Sequence, residues 1–383
     1  MEILGDYIRI RTGRLDANAA TADGEYPFFT CAKETSRIND WAFDCECVLV
    51  AGNRTPHVSY YKGKFNAYQR VYVIESTDQC RLSTKYLYYF LKEYMALAVD
   101  RQHGAIEKFF CLSDFTEIKM SLPDLPTQLR IAGVLGSIDE KIELNRKKIA
   151  ELEALAKTIY DYWFVQFDFP DANGKPYRSS GGKMVWNEQL KREIPAGWCN
   201  GKLSDIAYYA SDKIQSNAIP LENYVTTDSM LQNKQGRDIA TSLPPPGTSI
   251  VCFRESDTLV ANIRPYLQKI WFSNVQGGCS QDVLVFRAKK SCVPTFLYST
   301  LWQDNFFDYV MTGAKGSKMP RGDKDHIMSY PLALPVESLL SQYNKIVGDF
   351  WSRRNFALQQ ITELTALRDL LLPLLMNGQV VVK

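Results

Sequence analysis

Two stretches of this chain repeat apolar residues at alternating gaps of four and three, which lays one continuous seam along a helix. The first follows Pro126 and runs Ile131, Leu135, Ile138, Ile142, Asn145, Ile149, Leu152, Ala156, Ile159 and Trp163. The second runs Leu339, Tyr343, Ile346, Phe350, Arg353, Ala357, Gln360, Leu364, Leu367 and Leu371, and Pro373 is expected to end it. A helix of about 37 residues is roughly 55 Å long. A seam of that length cannot stay in water, and the economical solution is that the two helices pack on each other, antiparallel. Asn145 is open to two readings: a buried polar residue that fixes register, or a shielded edge position.

Ahead of each helix the pattern changes to short runs of β-branched and aromatic residues. These predict strands at Cys45–Ala51, His57–Tyr61 and Phe65–Ile74, broken at Gly52-Asn53 and Lys62-Gly63, then a helix at Thr84–Val99. The second half predicts strands near Ser249–Phe253, Gln268–Ser273 and Asp282–Arg287, then one helix from about Pro294 to Val310. Between the halves, Asp171 to Gly182 is rich in Gly, Ser and Pro and reads as a linker.

The two halves are versions of one unit. Leu4-Gly5-Asp6 matches Leu203-Ser204-Asp205, and Leu87-Tyr88-Tyr89-Phe90-Leu91 matches Leu297-Tyr298-Ser299-Thr300-Leu301. Leu125-Pro126 matches Leu334-Pro335, and Ile149 to Leu155 matches Ile361 to Leu367. Four landmarks in the same order are hard to produce by chance. The expected fold is mixed α/β (α+β): a globular domain over residues 1–124, a long helix over 125–167 and a linker over 168–194. A second domain over 195–335, a second helix over 336–377 and a tail over 378–383 complete it.

Composition narrows this picture. The 383 residues suit two domains, and 45% hydrophobic with 12% aromatic residues is a folded composition. The opening residues have no basic region followed by an apolar core, and no run approaches the ~18 apolar residues of a membrane span. Nine irregularly spaced cysteines read as reduced thiols of a cytoplasmic protein. Cys45-Glu46-Cys47 lacks the second pair or histidine that a zinc site needs. The net charge is +2 overall, −2 over residues 1–124 and +2 over residues 195–335. A surface for nucleic acid must therefore come from local arrangement or from a partner.

Catalytic chemistry is sparse. The chain has no phosphate-binding glycine loop, no dinucleotide fingerprint and no Asn-Pro-Pro-aromatic motif of an amino-methyltransferase; Leu243-Pro244-Pro245-Pro246-Gly247 lacks the polar residue that would hold the amino group. Asp124, Asp139 and Lys141 mimic a magnesium-dependent nuclease pattern, but Asp139 and Lys141 fall inside the heptad helix and read as solvated charges. The residues that suggest ligand contact are basic and polar, set beside aromatics. They are Arg54, Tyr60, Lys62, Lys64, Gln69 and Arg70 in the first half. In the second they are Arg254, Asn262, Arg264, Lys269, Lys315, Ser317, Lys318 and Arg321. Arg fits guanine bidentately, Asn and Gln fit adenine, and Lys beside glycine-freed N–H groups fits phosphate. The aromatic cluster Tyr160, Trp163, Phe164 and Phe167 is a candidate docking patch for a partner, or plain packing of the helices.

Several phrases carry a resemblance. They are Tyr26-Pro27-Phe28-Phe29-Thr30-Cys31, Leu49-Val50-Ala51-Gly52-Asn53 and the run from Tyr60 to Arg70. Trp163-Phe164-Val165, Gly174-Lys175-Pro176-Tyr177 and Ile194-Pro195-Ala196-Gly197-Trp198 join them. With the duplicated plan, they make the whole chain resemble the specificity subunits of type I restriction-modification systems. The resemblance implies two target recognition domains, each reading half of a split site in double-stranded DNA. It implies two methyltransferase (modification) subunits alongside the helices and restriction/translocase subunits attached to those. No cofactor is implied in this chain; S-adenosylmethionine, ATP and magnesium would belong to the partners. The alternatives are a nuclease acting alone and a coiled-coil scaffold without a DNA role. Gly104 to Lys108 is less basic than its counterpart Gly316 to Arg321, which departs from an even pair of readers.

Overall fold

The structure, a computed structural model, describes residues 1–32, 34–51, 57–97 and 110–382. The chain forms two compact units. Unit 1 comprises Met1–Arg146 with Gln359–Lys383, and unit 2 is Lys147–Leu358.

Unit 1 is built on a six-stranded sheet. Its strands are β1 (Ile8–Thr12), β2 (Tyr26–Phe29), β3 (Ser36–Ile38), β4 (Phe43–Ala51), β5 (Val58–Ala67) and β6 (Val71–Ser76), in the order β1-β6-β4-β5-β2-β3. All neighbours are antiparallel except β2 with β5. The two-residue period of a strand sorts the side chains of β4 onto opposite faces. Val48 and Val50 join Tyr86, Leu87 and Leu91 of helix α1 (Thr84–Leu97), and Phe115 of the short helix α2 (Ser113–Thr116), in one core. Cys47 and Leu49 join Phe43, Phe65 and Val73 in a second core on the other face. The expected break at Lys62-Gly63 is absent. Gly63 takes φ +130°, open to glycine alone, and stays in register opposite Cys45, so β5 continues to Ala67.

Unit 2 repeats the sorting. Here β7 (Ala207–Tyr209), β8 (Lys213–Gln215), β9 (Tyr224–Val225), β10 (Ser249–Phe253), β11 (Thr258–Ala261), β12 (Ile270–Phe272), β13 (Gly277–Cys279) and β14 (Val283–Ala288) make two four-stranded sheets. Their orders are β7-β14-β11-β12 and β8-β10-β13-β9. Leu284 and Phe286 face one core while Val283 and Val285 face another. The single helix expected from Pro294 is two, α3 (Pro294–Leu301) and α4 (Asp304–Thr312), because Gln303 turns extended and becomes the start of the second.

Each unit opens alike. A short antiparallel pair, Glu2–Ile3 with Lys119–Met120 in unit 1 and Cys199–Lys202 with Pro331–Leu334 in unit 2, leads into one helical turn. That turn is Leu4–Tyr7 or Leu203–Ile206, with its leucine fully buried. In both, the strand after this turn pairs with the strand just before the domain's helix.

Two long helices follow, α5 (Leu125–Tyr160) and α6 (Glu337–Met376), numbered last although α5 precedes unit 2's strands. Asp124 accepts a hydrogen bond from the Thr127 N–H at 3.0 Å, and Pro126 needs no donor there, so the start of α5 is capped. Within unit 1, Asp139 accepts from Arg368 at 2.9 Å and Asn145 donates to Gln360 at 3.3 Å. Asn145 is buried, so of its two readings the structure supports the registry contact. Within unit 2, Arg354 pairs with Glu153.

Two expectations for α6 need correction. Its middle buries Val347, Trp351 and Arg354, not Ile346, Phe350 and Arg353. The gaps there are four, four and three because Trp351 turns toward the domain, with ring centroids 5.1 Å from Phe272 and 5.0 Å from Tyr298. Pro373 also does not end the helix. It forfeits one ladder bond, while Leu372 and Leu375 are buried in unit 1's core and carry the last turn to Met376.

Candidate nucleic-acid interface

In unit 2, the segment after β11 and the loop after α4 are stitched together. The Asn262 side chain donates to the Gly322 carbonyl at 3.1 Å, and the Arg264 N–H donates to the Pro320 carbonyl at 2.7 Å. Lys315 and Arg321 exchange backbone hydrogen bonds at 2.9 Å, and Gly316, at φ +98°, supplies the reversal between them. This brings Arg264, Lys315, Ser317, Lys318 and Arg321 onto one surface, all exposed. Tyr266, 52% exposed, and Met319 stand beside them.

The cations are not equivalent. Arg321 pairs with Asp282 at 2.8 Å, and Lys315 pairs with Asp323 at 2.7 Å. That lysine, with the His326 N–H, holds the Asp323 carboxyl well below its ordinary value, at about 2. Exposed pairs of this kind are worth little and can open for a phosphate. Arg264 and Lys318 have no side-chain partner among the described residues.

Three further candidates in unit 2 have partners within the fold. Asn262 is 5% exposed and spends its amide on Gly322. Lys269 donates to the Thr227 carbonyl at 2.6 Å. Arg254 reaches Asp212 at 2.8 Å, in a network where Arg287 grips both Asp212 and the buried Asp257. Asn262 and Lys269 thus brace the surface through backbone carbonyls, whereas Arg254, 61% exposed, sits in a surface pair of the same kind as those of Lys315 and Arg321.

Unit 1 places its nominated residues on a strand. Lys62 lies directly opposite Glu46 in the β4–β5 register and pairs with it at 3.0 Å. Tyr60 donates to the same carboxylate at 3.0 Å; burial, and then that bond, push its hydroxyl up to about 12. Lys64 sits 4.6 Å over the Trp41 ring. Gln69 and Arg70 are exposed in the turn after β5, while Arg54 falls outside the described residues. Sequence reasoning passed over Arg9 and Arg11, which both hold Glu75. Their alternation on β1 was the available signal. Burial pushes the Glu75 carboxyl up, but the hydrogen bonds from Arg9 and Arg11 outweigh it and leave it lowered.

Two other groups change their meaning. Tyr160, Trp163, Phe164 and Phe167 are 8% exposed or less and pack into unit 2's core with Phe296, Tyr343 and Trp198. They are therefore not a docking surface; Tyr162 and Val165 are the exposed apolar residues of that turn. The nuclease-like residues also do not gather. Asp124 caps α5, and Asp139, 15 positions or about 22 Å further along the helix, is held by Tyr89 and Arg368. Among the described residues no three His, Cys, Asp or Glu side chains form a metal-holding group. None of the described helices is long and apolar enough to cross a membrane.

Comparison with known proteins identifies relatives. The family model of the type I restriction modification DNA specificity domain matches residues 3–154. The chain is 30% identical to the type I restriction enzyme EcoDI specificity subunit of Escherichia coli, over 87% of this chain and 76% of that protein. It is 24% identical to the MjaIX specificity subunit of Methanocaldococcus jannaschii, over 77% of this chain and 69% of that one. Among solved structures, the S subunit of a type I restriction-modification system from M. genitalium has the same fold. Its TM-score is 0.62 at 15% identity, covering 98% of this chain and 95% of that one.

Proposed function

The chain belongs to the type I restriction-modification specificity subunits, and from that premise we propose that it reads DNA without catalysing a reaction itself. Each unit reads one half of a bipartite site in double-stranded DNA. The long helices form an antiparallel coiled-coil spacer along which two methyltransferase subunits dock, with restriction/translocase subunits attached to those. S-adenosylmethionine, ATP and magnesium belong to these partners.

The observation that carries this reading is one scaffold used twice with different loops. The opening strand pair, the buried leucine of the first turn, and the pairing of the next strand with the one before the domain helix recur. The presented side chains do not recur. A duplicated frame with diverged loops fits two readers of different sequences. Side-chain contacts from α5 to α6 at Asp139, Asn145 and Glu153 meet falling numbers on the other helix, which supports the antiparallel pair. Leu144, Leu155, Phe356, Leu367 and Leu370 remain exposed on those helices and suit partner docking. The placement of Asp124 and Asp139 does not favour a nuclease.

The test is methylation by the chain assembled with its methyltransferase partner, on duplexes carrying two half-sites at varied spacing. Modification confined to one pair of half-sites about one helical turn, ~10 bp, apart supports the reading. Methylation indifferent to sequence would leave only a scaffold.

A further inference from the structure

Seven non-glycine residues in the described chain take a left-handed backbone, and four of them lie together in unit 2. Asn233 (φ +54°) and Lys234 (φ +64°) hydrogen-bond through their N–H groups to the carbonyls of Leu267 and Gln268, each at 2.9 Å. Arg264 (φ +52°) and Gln268 (φ +50°) bracket the tight turn Pro265–Leu267, closed by the Leu267 N–H on the Arg264 carbonyl at 2.9 Å. Side chains disfavour this conformation, and it persists only where the surroundings over-determine it, commonly at functional positions.

The surroundings here are specific. The Lys234 side chain is 8% exposed, its ammonium lies 4.3 Å over the Trp302 ring, and it pairs with Asp304. A lysine is rarely buried so fully unless it is paired. Pro265 is buried and fixes its own φ. The rigid turn thus presents two groups outward: the unpaired Arg264 guanidinium and Tyr266. The ordering of this arginine's backbone is met when the domain folds, not when it binds.

We infer that the turn Arg264–Gln268 is the base-reading element of unit 2, that Arg264 sets specificity for a guanine at one base pair, and that Lys234 is its positioning residue. This rests on the DNA-reading function proposed above. A guanidinium on a fixed backbone can meet the O6 and N7 of guanine in the major groove with both donors at once. Lys234 touches no DNA; it holds the Asn233-Lys234 backbone against Leu267 and Gln268 and so fixes where the arginine points.

The experiment uses the chain assembled with its methyltransferase partner and duplexes in which every base pair of both half-sites is varied singly. Arg264→Gln is expected to lower discrimination about tenfold or more at one base pair of one half-site and nowhere else. Lys234→Met is expected to lower discrimination at that same base pair, and Lys234→Arg, which keeps a cation over Trp302, to restore it. Thermal unfolding of the Lys234 variants separates loss of folding from loss of positioning, and Arg264→Gln, on the surface, does not depend on that control. If the unaltered complex discriminates but Arg264→Gln changes no base pair, the inference is overturned and the proposed function stands. If Lys234→Met weakens every base pair equally and Lys234→Arg restores nothing, the positioning role is overturned. If the unaltered complex discriminates no sequence, the inference falls together with the proposed function.

Discussion

In unit 1, Lys62 and Arg9 stand on strands, whereas in unit 2 Arg264 and Lys318 stand on loops. In unit 1 the register decides their fate: Lys62 lies across from Glu46 and Arg9 across from Glu75, so each faces a carboxylate by construction. In unit 2, the turn at Arg264 and the loop through Lys318 leave the sheet, and no cross-strand neighbour is imposed on them. Register can pair a cation on a strand, whereas on the braced loops Lys315 and Arg321 find carboxylates and Arg264 and Lys318 are left for a ligand. Two domains that open on the same strand pair and helical turn can therefore present different chemistry.

Phe164→Ala should destabilise unit 2 by about 3–5 kcal/mol, since it empties a ring site between Phe296 and Tyr343. Tyr162→Ala, on the exposed side of the same turn, should leave the melting curve nearly unchanged and weaken capture of the methyltransferase partner.

Next, Arg264→Ala should weaken specific DNA binding by about 1–3 kcal/mol in a titration at fixed salt. Lys62→Ala should cost less than about 1 kcal/mol, because its charge is shared with Glu46. An equal loss from both would remove the difference between paired and unpaired cations.

Third, Lys318→Ala should reduce the slope of log affinity against log salt by about one, uniformly across sequences. A sequence-dependent loss would move Lys318 from phosphate to base contact.

The smallest effect concerns pH. The Asp323 carboxyl, at about 2 in the folded chain, lies below its unfolded value of 3.8. The stability it lends to unit 2's loop is therefore complete above about pH 4 and lost as pH falls toward 2. Asp323→Asn should flatten that part of the acid unfolding curve, and an unchanged curve would mean the Lys315 pair contributes nothing.

The legibility of these features in the sequence follows the same division. The long helices, Ser249–Phe253 and the helix at Thr84 could be read because periodicity reports burial directly. The seam of α6 slipped by one at Val347 and Trp351 because that helix answers to a domain core as well as to its partner helix. Composition could single out basic loop residues, but not whether a carboxylate waits across the register, so Lys62 and Arg264 looked alike. The aromatic run from Tyr160 to Phe167 was open to two readings, docking patch or packing, because apolar spacing alone does not say which body covers it. Lys234 had no sequence signal; only the backbone conformation and its burial against Trp302 single it out.

The central claim is that the two units read separate halves of one site. The direct measurement exchanges all of unit 1, Met1–Arg146 together with Gln359–Lys383, for the corresponding segments of another family member. Both segments must move, since Leu372 and Leu375 lie in that unit's core. Sites methylated by the assembled complex are then mapped. The account predicts a new sequence in one half-site and the original sequence in the other. A change in both halves, or in neither, would contradict it.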